Sequence, residues 1–296
     1  MSFREQIHKL GALILSAFTL ISASGCQSGS SETSVATESS FTPIAVTGEV
    51  TITSFNVTKA DAFVIQTANS VTVIDAGLKG DGKKIEKFLS DQGIDTINNF
   101  IITHFDKDHV GGAARVVNRM NVENIFVPDY TSESEEYTSF IEKVNEKGYT
   151  PKVMNTGSIY SWVADDANFR IYAANETYYG KNEENDFSLV LYMEHGDNSF
   201  LFTGDAEEAR QKEIMKLGLS DVTFLKYPYH GNYLSTTEDF LDMFSPDVAI
   251  ICCSEVEDAD PSLYETMEKR GIEAYYMQNG DVTIVSDGTK LTCTQG

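Results

Sequence analysis

The sequence predicts an α/β domain made of two stacked sheets with helices on their outer faces. Two observations carry this. From residue 49 the chain alternates short β-branched or aromatic runs with amphipathic helical stretches, and the order of strands followed by helices occurs twice. The balance of the chain agrees, since 296 residues with 41% apolar and 11% aromatic content supply one sizeable core.

The first half opens with strand-like runs at residues 49–57, 62–67 and 71–74, separated by turn residues, which suggests an antiparallel start. Residues 83–92 place Ile85, Phe88 and Leu89 at helical spacing and stop at Gly93, and residues 99–103 form the next strand. A helix at 112–119 and a strand at 124–127 follow. A helix over 132–148 carries Tyr137, Phe140, Ile141 and Val144 on one face, with Ser132 and Glu135 as a capping box and Gly148 as its stop.

The second half repeats the plan, with strands at 168–173, 187–193 and 200–203, a helix at 207–217 and a strand at 222–227. A helix at 236–244, a strand at 247–253 and a helix at 262–271 come next, the last with Asp260 as N-cap and Pro261 at its first position. Strands at 273–277 and 282–285 end the domain.

The first residues read differently. Arg4 and Lys9 precede an apolar run over 12–23, and Ser24-Gly25-Cys26 follows as a small-residue cleavage site. The run is short for a membrane-spanning helix, which needs roughly 20 apolar residues. The Ala-Ser-Gly-Cys ending resembles a bacterial lipobox, which implies lipidation of Cys26 and an extracytoplasmic protein anchored to the cell membrane. The alternatives are a plain secretory peptide or an uncleaved anchor. Residues 27–47, rich in Ser, Thr, Glu and Ala, read as a flexible tether, leaving 48–296 as the folded domain. His8 falls in the signal segment.

Charge limits the partners. The 22 Lys plus Arg against 45 Asp plus Glu give a net charge of −23, so a broad basic surface for duplex nucleic acid is excluded, and a polyanion would be drawn in locally, by metal. Nothing points to a protein partner. Beyond Cys26, the thiols of Cys252 and Cys253 in the apolar run 248–253 read as buried, with a disulfide from Cys293 to one of them as the alternative.

The chemistry concentrates at strand ends. After the 99–103 strand the chain reads Thr-His-Phe-Asp-Lys-Asp-His-Val-Gly-Gly, which puts His104, Asp106, Asp108 and His109 within six residues. Imidazole and carboxylate are the ligand types of a divalent cation in a hydrolase, and Gly111 and Gly112 let the next helix start close by. His195, in Glu-His-Gly-Asp, reads as a turn residue. Trp162, Tyr178 and Tyr179 read either as a substrate rim or as packing.

This segment resembles the HxHxDH signature of the metallo-β-lactamase superfamily, in the HxDxDH variant typical of the hydrolase domain of ComEC-type DNA-uptake proteins. Four further matches fall in the expected order: Val-Ile-Asp-Ala-Gly at 73–77, Asn-Asp-Phe-Ser-Leu-Val-Leu at 185–191, Phe-Thr-Gly-Asp at 202–205 and Lys-Tyr-Pro-Tyr-His-Gly-Asn at 226–232. The resemblance implies an αββα four-layer sandwich holding two divalent metal ions, Zn or Mn. His104 and Asp106 would bind one ion, Asp108, His109 and His230 the other, with Asp205 bridging them and Asp75 supporting the metal loop from behind.

Three departures accompany it. Residues 183–186, Glu-Glu-Asn-Asp, lack the histidine common before the Ser-Leu-Val-Leu strand. Tyr229 stands where His-His-Gly-Ser proteins have a histidine, and residues 258–261 replace a His-Pro-His-Pro stretch. The resemblance implies a hydrolase of small-molecule or nucleic-acid phosphodiesters at the outer face of the membrane, with Asp108, Tyr229 and His230 as catalytic residues. The alternatives are a lactone, thioester or β-lactam hydrolase of the same fold, or a non-catalytic binding lipoprotein with a degenerate site.

Overall fold

The computed structural model describes residues 44–180 and 184–296, so Cys26, the signal segment and most of the tether lie outside the described residues. The first of its two sheets contains β1 (Val50–Ser54), β2 (Phe63–Gln66), β3 (Val71–Ile74), β4 (Thr96–Ile101), β5 (Asn121–Pro128) and β6 (Lys152–Met154). Strands β14 (Val282–Ser286) and β15 (Leu291–Gln295), from the end of the chain, extend it beyond β1. The second sheet sets β7 (Ile159–Ala164), β8 (Ala167–Tyr172), β9 (Val190–His195), β10 (Asn198–Phe202), β11 (Phe224–Lys226), β12 (Val248–Ile251) and β13 (Glu273–Tyr276) side by side in chain order.

Both sheets begin antiparallel and turn parallel at one point, between β3 and β4 in the first and between β10 and β11 in the second. Parallel neighbours need long crossovers, and helices supply them. Helix α1 (Gly82–Asp91) links β3 to β4; α2 (Lys107–Val110) and α3 (Ala113–Arg119) link β4 to β5; and α4 (Glu135–Glu146) links β5 to β6. In the second sheet α5 (Glu208–Ile214), α6 (Thr237–Phe244) and α7 (Pro261–Arg270) do the same.

Alternation along the strands sends one set of side chains between the sheets. Ile52, Phe63, Ile65 and Phe126 meet Phe169, Ile171, Leu191, Phe200, Phe202 and Phe224 there, with the Phe63 and Phe202 rings edge to face at 5.5 Å. The opposite face of β4 packs on a helix, Phe100 meeting Phe140 of α4 at 6.5 Å. The expected αββα sandwich follows.

Several local expectations need correction. Helix α4 is capped by Ser134 rather than Ser132: the Ser134 Oγ accepts from the Tyr137 N–H at 3.2 Å, while the Ser132 hydroxyl accepts from the Ser134 N–H at 3.3 Å, outside the helix. That register puts Glu135 and Glu136 in the first turn, where the helix dipole favours them. Helix α7 starts as expected, with Asp260 accepting from the Ser262 N–H at 2.8 Å and Pro261 in its first turn. Strands β6, β7 and β15 had no clear periodic signal; β7 carries Trp162, which stacks on Phe169 at 4.8 Å and so packs rather than lining a rim. Cys252, Cys253 and Cys293 are free thiols.

His195 is a strand residue rather than a turn residue. It ends β9 with no exposed area, its Nδ1 2.8 Å from Ser286 Oγ and its Nε2 3.5 Å from Asp166 Oδ1. Asp166 in turn accepts from the Thr47 and Gly48 N–H groups at 2.5 and 2.8 Å, which fastens the chain where it enters the domain.

Candidate metal centre

Ligands of open α/β sheets bind beyond the carboxyl ends of parallel strands, and here the switch points of both sheets deliver their polar residues to one place. Asp75 follows β3, Thr103 and His104 follow β4, Asp205 follows β10, and Lys226 ends β11. One ligand atom each from Asp108, His109, Asp205 and His230 lies within 4.8 Å of the others. Asp205 Oδ2 is the hub, 3.2 Å from His109 Nε2 and 2.7 Å from His230 Nε2, while Asp108 Oδ2 stands 3.2 Å from His230 Nε2.

His104 and Asp106 form a looser part of the same place. The His104 ring lies 4.0 Å from that of His109, but its Nε2 is 3.9 Å from Asp106 Oδ2, and the Asp106 side chain is 44% exposed. All six residues expected as ligands are therefore brought together, four of them tightly.

The imidazoles are oriented by what holds their other nitrogen. His109 Nδ1 lies 2.8 Å from Asp75 Oδ2 and His230 Nδ1 lies 2.9 Å from the Cys252 carbonyl; both partners accept, so Nδ1 carries the proton. The Thr103 hydroxyl donates to Asp75 at 2.7 Å and so presents a lone pair to His104 Nδ1 at 3.1 Å. In the neutral rings every Nε2 is thus left bare. All three are buried without a hydrogen bond, although carboxylate oxygens stand close by. Buried polar atoms are ordinarily satisfied, and bare nitrogens converging on carboxylates fit a divalent cation.

Asp75 holds this assembly from behind. It accepts from the Thr103 N–H at 2.8 Å, from the Thr103 hydroxyl and from His109, and its own backbone is left-handed at φ 54°. Tyr229 and His230 are left-handed too, at φ 48° and 52°, and such non-glycine residues cost about 1–3 kcal/mol each. Gly111 and Gly112 act on the preceding turn: a Cβ on Gly112 would meet the Ala76 carbonyl at 2.1 Å, so the metal loop packs directly on the chain after β3. The Ala76 N–H donates to the His109 carbonyl at 2.8 Å across that contact.

Charges follow the geometry. Burial lowers the affinity of His104 for a proton, and the neighbouring His109 adds to this. Burial acts the same way on His230, but the carboxylates of Asp205 and Asp108 outweigh it and raise its pKa to about 9. The Tyr229 hydroxyl is pushed up by burial and by the charges of Glu207, Asp205 and Asp106, and it is engaged with Glu207.

The histidine-free stretch has its own work, with Glu183 outside the described residues. Asp186 caps the start of α5, accepting from the Glu207 and Arg210 N–H groups at 2.9 and 3.1 Å. Glu184 lines a cavity of about 450 Å³ with Phe105, Asp106, Lys107, Asp108, Ser132, Ser134, Glu136 and Asn185.

Two residues of the centre carried no expectation from the sequence. Lys226 Nζ sits 2.6 Å from Asp61 Oδ2 and 3.0 Å from Asp205 Oδ1, all three side chains nearly inaccessible. Asp61, Asp75 and His109 are also spaced for an ion, but the Lys226 ammonium already serves Asp61 and Asp75 already serves His109. The available signals were an acid between Ala60 and Ala62 directly before a strand, and a lysine ending the apolar run of β11.

The metallo-beta-lactamase superfamily matches residues 56–255, which contain this entire cluster. ComE operon protein 3 of Bacillus subtilis is 29% identical over 171 residues, covering 57% of this chain and 21% of that protein. Recombination protein 2 of Haemophilus influenzae is 29% identical over 168 residues, covering 57% and 19%. The chain spans about a fifth of the length of these curated relatives. Among solved structures, the metallo-beta-lactamase fold protein YhfI from Bacillus subtilis aligns with a TM-score of 0.50 at 8% identity, covering 78% of this chain and 96% of that one, which shows a shared fold. On its sequence match, its two-sheet sandwich and its relatives, this chain belongs to the metallo-beta-lactamase superfamily, in its ComEC-like branch.

Proposed function

We propose that the protein is a metal-dependent hydrolase of phosphodiesters. One observation carries the reading: three buried imidazoles, each ring fixed at Nδ1, have Nε2 atoms with no hydrogen bond, those of His109 and His230 grouped with Asp108 and Asp205 and that of His104 on the side of Asp106. Formal charge supports two divalent ions rather than one. Asp61, Asp75, Asp106, Asp108 and Asp205 against Lys226 leave four negative charges once the imidazoles have given up their extra protons to become ligands.

In this reading Asp108, His109 and His230 would hold one ion and His104 and Asp106 the other, with Asp205 available to both. The ions supply Lewis acidity and neutralise negative charge developing on a phosphoryl group. The carboxylates of Asp106 and Asp108 border the cavity, where they are placed to take a proton from an attacking water. Tyr229, beside His230 in the chain, would donate to the substrate once Glu207 releases its hydroxyl. Carboxylates in place of imidazole harden the site, which favours manganese or another oxygen-preferring ion alongside zinc.

Phosphodiesters are favoured as substrates by the ComEC-type motif and by relatives named for the ComE operon and for recombination. The N-terminal segment supports export and anchoring to the membrane at Cys26. The test is a screen of the metal-loaded protein against bis-p-nitrophenyl phosphate, single-stranded DNA, a lactone and a cephalosporin. Turnover confined to the first two supports the proposal. Turnover confined to the others moves the substrate class, and a wild-type protein that takes up no metal and turns over none of the four favours a binding lipoprotein.

A further inference from the structure

We infer that the buried Lys226–Asp61 pair is a positioning device that fixes the Asp205 carboxylate so that only Oδ2 is left to the metal ions. The inference rests on the metal-centre reading above. A lysine ammonium has three N–H donors, and Lys226 Nζ meets three acceptors: Asp61 Oδ2 at 2.6 Å, Asp205 Oδ1 at 3.0 Å and the Gly204 carbonyl at 2.6 Å. The three side chains are at most 4% exposed, so water does not replace any of these bonds.

Asp205 is held on two sides. Its N–H donates to Ser188 Oγ at 3.1 Å and its Oδ1 is taken by Lys226, which turns Oδ2 toward His109 and His230. The terminal torsion of an aspartate is otherwise broad, and a free carboxylate can turn and chelate one ion with both oxygens. Occupying Oδ1 removes that option. Asp61 anchors the lysine to the rest of the centre: its N–H donates to the Asp108 carbonyl at 3.1 Å, and its carbonyl accepts from the Gly77 N–H at 2.9 Å. The pair also sets one fixed positive charge inside an acidic cluster, so that the cluster is partly neutralised before any ion arrives.

The test uses the full chain, stripped of metal and titrated calorimetrically with Mn²⁺ and separately with Zn²⁺, together with thermal unfolding in EDTA and in saturating metal. The variants are Lys226→Met, Asp61→Asn and the two combined. The double variant removes one positive and one negative charge, so the net charge of the cluster is kept and orientation is read by itself. It is expected to bind metal about 10–100-fold more weakly, the loss typical of residues that hold a ligand from outside. Asp61→Asn, still able to accept from Lys226, is expected to lose less in the same direction, and it decides the matter should the double variant not fold. Lys226→Met leaves Asp61 and Asp205 buried without their cation, so its midpoint in EDTA is expected to drop further than its midpoint with metal.

Wild-type metal affinity in the double variant, or equal drops with and without metal in Lys226→Met, would make the pair merely structural and overturn the inference. Wild type that takes up neither ion would refute the metal-centre reading, and this inference with it.

Discussion

Replacing Asp205 by Ala separates the metal contribution of this residue from its structural one. Without metal, the variant loses the bond from Lys226 to Oδ1 and the pairing of Oδ2 with protonated His230, but Lys226 keeps Asp61 and the Gly204 carbonyl and His230 keeps Asp108. The cost is therefore that of two hydrogen bonds between charged groups, about 3–6 kcal/mol, rather than the larger penalty of an orphaned buried charge. At about 2–4 °C per kcal/mol for a domain of this size, the midpoint in EDTA should fall by roughly 6–24 °C. With metal the difference should be greater. An ion at about a thousand times its Kd adds about 4 kcal/mol to the wild type, and the variant should forfeit most of that, because Asp205 Oδ2 approaches both His109 and His230. The assay pairs thermal unfolding in EDTA and in metal with metal content by plasma mass spectrometry and turnover on the substrate found in the screen. Two bound metals with full activity in Asp205→Ala would refute the argument.

Tyr229→Phe should keep the wild-type metal content and lose rate by at most about 10²–10³, the usual cost of one transition-state donor; loss of metal would show that it is a ligand instead. Because the His230 pKa is raised to about 9, metal uptake at pH 7 should release protons and tighten as pH rises toward that value, which calorimetry in buffers of different ionisation enthalpy reads directly. The same shift gives the metal-free protein a stabilisation that is fully present below about 6.5, the unfolded pKa, and lost as pH rises through about 9; stability flat over that window would contradict it. Cys26→Ser should release the protein from the membrane without lowering its unfolding midpoint, and unchanged retention would argue for an uncleaved anchor.

What the sequence determined by itself was whatever depends on neighbours along the chain. Hydrophobic periodicity and turn residues placed most strands and helices, the Asp260-Pro261 start of α7 was legible because capping acts over three residues, and the density of His104, Asp106, Asp108 and His109 marked a metal loop on its own. The link from that loop to Asp75, Asp205 and His230 came through family resemblance, since periodicity carries no information across such separations. Only the tertiary structure decided the rest. His195 looked like a turn residue but is buried against Ser286 and Asp166, partners distant in sequence and invisible to any local pattern. Asp61 and Lys226 looked like ordinary charges beside strands until sheet stacking brought β11 against the chain leading into β2, where burial without water left each the other's main counter-charge. Which nitrogen of each histidine is bare was decided the same way, by the carboxylate, hydroxyl or carbonyl that folding set behind the ring.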